Sequence, residues 1–473
     1  MVGADSGRAV VLGGSIAGLL AARVLAEHGF DVRVLDRDEL VATGGRRRGV
    51  PQARHIHALL PRGREILEEL FPGITAALVA DGAPGGDLLA DTRLHLSGHR
   101  FRRAESGLPA LSCSRTLLED HVRSRVRVLP NVTFADPCDV VGLTTSRDRG
   151  GVTGVRLLRR ADGSAEEVLD ADLVVDALGR GSRLPTWLEA LGYGRVEEER
   201  ITVDLGYATC RYRLPLDALD GDWGTLQGPT PQNPRGGALA RIEGESWMLT
   251  LFGLVGDHPP TDRDGFLAFA GSLPFDDIHE AVRDAEPLED PTGFRFPASV
   301  RRRYERLADL PEGLLVVGDS ICSLNPIYGQ GMTVAGLAAV ALREELRRGQ
   351  RPASRRFLRE LASTLDTPWE MVVGGDLAIP GVDGPASRST AVLGAYVTRL
   401  HAGAAHDPRL AVAFARVMSL VDVPTALLRP AVALRVLRPR PRPPRSPEVV
   451  GAATPTRQTA PIGPPGFSKE ERP

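Results

Sequence analysis

The first forty residues carry two apolar rhythms in succession. Residues 8–13 hold a short aliphatic run, residues 17–28 place small and apolar side chains at helical spacing, and residues 31–36, "DVRVLD", return to strand-like chemistry. This order predicts a βαβ unit. The loop that follows, "GGRRRGVPQARHIH", contains glycines and a proline that forbid a regular element. Beyond it the pattern predicts a helix over about 62–71, antiparallel strand material in "TRLHLSGHRFRR", and a helix in "SRTLLEDHVRSRV" that starts at its serine cap.

From about 140 to 170 the alternation predicts a small meander with a turn at "ADGS", and "DADLVVDALGRGS" reads as a buried strand that ends in a loop. Residues 200–300 mix strands such as "LGYATCRYRL" and "SWMLTLFGLVG" with helices such as "DRDGFLAFAGSL". A strand, a long loop and an alanine-rich helix follow in "GLLVVGDSICSLNPIYGQGMTVAGLAAVALREEL", which brings the chain back to its first domain. Residues 351–437 read as mainly helical. The proline-rich segment 438–473 lacks periodic apolar positions and is expected to be a disordered, solubilising tail.

Composition narrows the partners. The 58 basic and 60 acidic side chains give a formal charge of -2, without the basic excess that nucleic-acid binding requires. Cys113, Cys138, Cys210 and Cys322 are far apart and form neither a CxxC pair nor a metal-ligand cluster with histidine. The start "MVGADSGR" does not resemble a signal peptide, and no run reaches the roughly 18 apolar residues of a membrane span. A cytoplasmic protein without a transmembrane segment is expected.

The βαβ unit carries the first chemistry. Gly13 and Gly14 permit a tight turn, Gly18 permits close packing of helix on strand, and the backbone amides at the helix start suit a pyrophosphate. Ser15 stands at the middle position of the usual glycine pattern, between Gly13 and Gly18, but its side chain is small and its amide is still available. Asp36, 23 residues beyond Gly13, ends the second strand, where a carboxylate accepts from both adenosine ribose hydroxyls. Such an acid disfavours a 2'-phosphate, so NADP is a poor occupant of this pocket. Asp319 follows a second apolar strand; it suits ribityl hydroxyls, and Gly329 and Gly331 let backbone approach a phosphate or a ring edge.

The combination of "GGSIAG", "DLVVDALGRGS" and "GDSICSLNPIYGQG" resembles the FAD-dependent monooxygenases of the para-hydroxybenzoate hydroxylase fold. Within them, "RGVPQARHIH" and the "NPIYGQGM" loop are similar to the actinobacterial polyether epoxidases of lasalocid and monensin type. The resemblance spans about 8–430. It implies an α/β fold with a Rossmann-like FAD-binding domain over 1–60, 105–195 and 305–350, a discontinuous sheet-containing substrate domain over 61–104 and 196–304, and the helical region beyond.

It further implies that Gly13, Gly14, Ser15 and Gly18 form the pyrophosphate turn, that Asp36 holds the ribose, and that Arg115 contacts the FAD backbone. Asp176 and Gly179 would belong to the central Asp-Gly motif, and Asp319 to the ribityl or pyrophosphate side. Pro326, Gly329, Gly331 and Met332 would line the flavin ring, with Arg54, His55 and Pro326 positioning flavin and substrate. The plainer alternatives are an Arg115 paired with Glu119 or Asp120 on a solvated face, an Asp176 that only caps a loop, and surface histidines at 55 and 57. Tyr207, Tyr212, Trp247, Met248, Leu249 and Phe252 could wall an apolar pocket or simply form core.

The activity implied is epoxidation of an alkene in an apolar, polyketide-like intermediate, free or carrier-bound, by a flavin C4a-hydroperoxide formed with molecular oxygen. Aromatic hydroxylation and a geranylgeranyl reductase-like reaction are the alternatives, and a flavin-binding module without catalysis is the reading from another class. No GxSxG elbow, redox CxxC or "GWxWxIP" halogenase signature is present. No second βαβ nucleotide site is visible, so NAD(P)H acts directly across the flavin or through a separate flavin reductase. Arg46, Arg47 and Arg48 suit either a phosphate-bearing ligand or a solvated loop.

Overall fold

A computed structural model describes residues 7–40, 47, 49–57, 59–160, 164–349, 351–384 and 388–438. Arg46, Arg48 and all but the first residue of the proline-rich tail lie outside them. Strand β1 (Arg8–Leu12), helix α1 (Ile16–Glu27) and strand β2 (Asp31–Leu35) form the expected unit. β1 is central in a five-stranded parallel sheet, between β2 and strand Leu173–Asp176, with Leu314–Val316 and Val132–Ala135 at the edges.

Register decides what this sheet can bind. Leu12 is opposite both Leu35 and Asp176, so Gly13, Asp36 and Ala177 emerge together at the carboxyl ends of the strands. Ligands of open parallel sheets sit at that end. The helix Gly331–Arg348 packs on α1, which carries the loop before it to the same end although some 300 residues separate them in sequence. A three-stranded antiparallel meander over Cys138–Thr145, Val152–Arg159 and Glu166–Asp170 lies outside this sheet.

The middle of the chain builds an eight-stranded sheet whose order runs from Cys322–Ser323 through Thr292–Arg302, Glu198–Tyr212, Ser246–Gly253, Arg235–Ile242 and Gly224–Gln227 to Thr92–Leu96 and His99–Arg100. Period-two alternation separates its faces. Ala208, Cys210, Tyr212, Trp247, Leu249 and Leu251 pack with Phe266 and Phe269 from helix Arg263–Ala270. Tyr207, Thr250 and Phe252 line a cavity instead. Helices Arg388–Ala404 and Pro408–Met418 pack through Leu400, Leu410 and Ala415 with Leu94 and Phe101 of the far edge.

Gly18 is where α1 and the turn touch. A Cβ there would fall 1.8 Å from the Gly13 carbonyl oxygen, and backbone cannot move aside cheaply. Gly18→Ala is therefore expected to destabilise the protein by about 1–3 kcal/mol, read as a lower urea midpoint with an unchanged slope. An unaltered midpoint would contradict the close approach.

Candidate active site

The glycine turn is held by backbone geometry and one acid. Gly13 has φ 105°, and a Cβ on it would lie 2.5 Å from the Ala177 carbonyl oxygen, so the position needs glycine. The Gly14 N–H donates to Asp36 Oδ2 at 2.7 Å, which locks the turn onto the end of β2. Ser15 is the residue before α1, and its hydroxyl does not cap the helix but donates to Glu119 Oε2 at 2.9 Å.

Glu119 organises the arginines. It is 3% exposed and receives Arg123 at 2.6 Å, Arg115 at 3.3 Å and Arg47, while Arg47 also reaches Asp36 at 2.6 Å. Burial alone would raise the Glu119 carboxyl, but Arg115, Arg47 and Arg123 outweigh it and hold it below the usual range. Arg115 thus pairs with Glu119, one of the partners the sequence offered, in the interior rather than on a solvated face. Its Nη2 also donates to Ser15 Oγ at 3.0 Å.

On the distal arm, Asp319 sits in the short 3-10 turn Gly318–Ser320 and lines the cavity with no hydrogen bond from a described residue. Burial raises its pKa against the pull of Arg115, Arg180 and Arg302. Asp176 lies behind the wall instead. Its carboxylate accepts from Leu178 N at 2.9 Å, Ser320 Oγ at 3.1 Å and Ser182 Oγ, so it clamps the 179–182 turn to the Asp319 turn. Gly14 and Gly18 likewise shape the turn without lining the cavity, and Arg54 is exposed and off its wall.

His55 is buried and central. Its Nδ1 lies 2.7 Å from Thr209 Oγ1, which is 2.6 Å from Thr250 Oγ1, and Thr250 accepts from Ile56 N at 3.1 Å. The ring meets Tyr207 edge-on with centroids 4.4 Å apart. Burial, helped by His57 and Arg54, pushes the imidazole down to about 3, and His57, facing the same cavity, is pushed down to about 4 by burial and Arg115. Both rings are neutral at physiological pH. The two threonines are directly opposite each other on adjacent antiparallel strands and have no motif to announce them; the buried role of Glu119 was equally silent in sequence.

One cavity of about 1500 Å³ runs past Gly13, Ser15, Asp36, Arg115 and Gly179 to Asp319, His55, Pro326, Gly329, Gly331 and Met332. It continues into an apolar chamber between the large sheet and the C-terminal helices, with Leu94, Leu226, Met371, Val397, Phe414 and Leu427 on its walls. That volume exceeds the roughly 300–1,000 Å³ of an ordinary small-molecule pocket. Among the described residues no cluster suited to a metal ion and no helix long and apolar enough to cross a membrane is present, and the four cysteines are free and buried.

Residues 11–62 match the NAD(P)-binding Rossmann-like domain. Over 437 residues the chain is 35% identical to Protein Rv3254 of Mycobacterium tuberculosis (strain ATCC 25618 / H37Rv), with 89% of this chain and 91% of that protein covered. The chain belongs to the family of Protein Rv3254. This Rv3254-family chain is also 29% identical over 369 residues to kynurenine 3-monooxygenase of Salinispora arenicola (strain CNS-205), covering 71% and 72% of the two proteins. Its fold is that of p-nitrophenol 4-monooxygenase from Pseudomonas putida, with a TM-score of 0.60 at 16% identity over 87% and 96% of the chains.

The neutral histidines give this Rv3254-family protein a defined acid response. An unfolded chain protonates each histidine below about pH 6.5, whereas the folded one excludes the proton from His55 until about 3. Stability present above about pH 6.5 is thus lost as pH falls towards 3. His55→Gln, which keeps a partner for Thr209, is expected to lose less urea resistance than the parent between about pH 6.5 and 4.5. Equal losses would contradict a buried neutral imidazole.

Proposed function

We propose that this protein is an FAD-dependent monooxygenase that epoxidises an alkene of an apolar, polyketide-like small molecule, free or carrier-bound. The observation that carries the reading is the continuous cavity that joins a dinucleotide-type turn to an apolar chamber past a carboxylate that no described residue hydrogen-bonds. The lining fits FAD. Asp36 and the turn amides suit the adenosine ribose and pyrophosphate, Asp319 suits ribityl hydroxyls, and a Cβ on Gly181 or Gly331 would protrude into open space at the cavity wall.

When bound and reduced, the flavin supplies the electrons and the oxygen chemistry. The chain's own residues position and shield. Arg115 and Arg47 offer positive charge beside the pyrophosphate turn, Pro326 and Met332 present apolar surface to the ring, and the C-terminal helices exclude water from the chamber. His55 is assigned to holding the substrate or flavin edge as a neutral donor or acceptor fixed by Thr209. Hydroxylating a phenol benefits from a base that ionises it. Tyr207 is raised by burial and both histidines are weak bases, which favours a substrate that needs no deprotonation.

The reductant is assigned to NAD(P)H, directly or through a flavin reductase. The purified protein is expected to be yellow and, with reductant and oxygen, to add one oxygen atom to an alkene substrate detected by product mass. Saturation of the alkene without oxygen uptake would point to a reductase instead. Asp36→Ala is expected to keep the fold by circular dichroism and to weaken FAD binding about 10- to 100-fold, the loss of charged hydrogen bonds. Unchanged affinity would remove Asp36 from the site.

A further inference from the structure

The "NPIYG" loop is tied to the far end of a helix by one carboxyl group. Asp376 is the last residue of helix Ser354–Asp376 and is fully buried. Its Oδ1 accepts both from Asn325 Nδ2 at 2.7 Å and from the Tyr328 hydroxyl at 3.0 Å. Between these two residues lie Pro326 and Ile327, and Pro326, Ile327, Tyr328 and Gly329 all line the cavity. Asn325 in turn accepts from Ile327 N at 3.2 Å, so the contact to Asp376 sets the shape of the whole turn. Gly375 makes room for it: a Cβ there would lie 2.3 Å from the Tyr328 oxygen.

The other oxygen, Oδ2, is buried with no hydrogen-bond partner among the described residues. A carboxylate would leave charge on that oxygen out of water, a larger cost than leaving one neutral hydroxyl unpaired. The position at a helix C-terminus adds the negative end of the helix dipole. Tyr328 is the titratable group that faces it, and no described cation pairs with it.

We propose that Asp376 is the positioning residue of the cavity-lining 325–329 turn and, below neutral pH, holds Asn325 and Tyr328 as a neutral carboxylic acid. Burial pushes its pKa up to about 7, although Asn325 and Tyr328 pull the other way. The connection to a flavin rests on the FAD reading above; the anchoring does not. The sign of its pH dependence follows from linkage. The unfolded carboxyl ionises near 4 and the folded one near 7, so the stabilisation present at low pH is lost as pH rises through that window.

The experiment compares the full chain with Asp376→Asn, which keeps an acceptor for both donors and cannot ionise, and with Asp376→Leu, which keeps bulk but accepts nothing. In the apoprotein, the Tm of the Asn variant must gain on that of the parent from about pH 5 to about pH 8. A difference that is flat or runs the other way overturns the neutral acid. In FAD titrations read by flavin fluorescence, Asn is expected within about twofold of the parent and Leu about tenfold or more weaker, the consequence of two lost hydrogen bonds. An Asn variant as weak as Leu, or a Leu variant equal to the parent, overturns the positioning role. If Leu does not fold, Tyr328→Phe, which deletes one of the two hydrogen bonds to Asp376, takes its place: FAD binding a few-fold weaker is expected, and unchanged binding overturns the positioning role. A parent that takes up no FAD defeats the flavin reading, and the apoprotein Tm series then judges Asp376 alone.

Discussion

Three guanidinium groups and one hydroxyl converge where α1 begins, and their common partner is a buried glutamate. Glu119 ties Arg115 and Arg123 of its own helix to Arg47 of the arginine-rich loop and to Ser15 of the glycine turn. Removing any cation would leave charge uncompensated in the interior, which is far costlier than losing a surface pair. The network therefore fixes three chain segments around the cavity wall at Gly13. Arg47, shared between Glu119 and Asp36, carries that constraint across to the end of β2.

From this point the architecture extends by register. Parallel pairing of β1 with β2 and with Leu173–Asp176 brings the turn, Asp36 and the Ala177 carbonyl to one edge. Asp176, buried between Ser182 and Ser320, then fastens the Asp319 turn to that edge. The short strand Cys322–Ser323 pairs with Thr292–Arg302, so the same loop begins the eight-stranded sheet. One stretch of chain thus belongs to both halves of the cavity, and a ligand on the first sheet is placed against a chamber on the second.

Much of this was legible because the elements that matter are locally consistent. The aliphatic strands, the alanine-rich helix and the serine-capped helix stand where their patterns put them; Ser114 Oγ caps by accepting from Leu117 N at 3.1 Å. Glycines at 13, 18 and 329 announced the turns because only close backbone approach or positive φ demands them. Long-range pairing was not legible. Nothing in "SRTLLEDHV" says that Glu119 faces inward to three arginines, and nothing in "VVGGD" ties Asp376 to Asn325, because those contacts depend on how distant helices pack. The two faces of the middle sheet also sorted Tyr207 and Phe252 to the cavity and Tyr212, Trp247 and Leu249 to the core, a split that the parity of each strand sets once its register is known.

The central claim is that the glycine turn and Asp36 bind the adenosine diphosphate half of a flavin dinucleotide. Titrating apoprotein with FAD and, separately, with FMN tests it directly, because the two share the flavin and its first phosphate and differ only in the adenylate that Asp36 and the turn would hold. The account predicts FAD binding at least about a hundredfold tighter, as several charge-assisted hydrogen bonds require. Equal affinity for the two would contradict it.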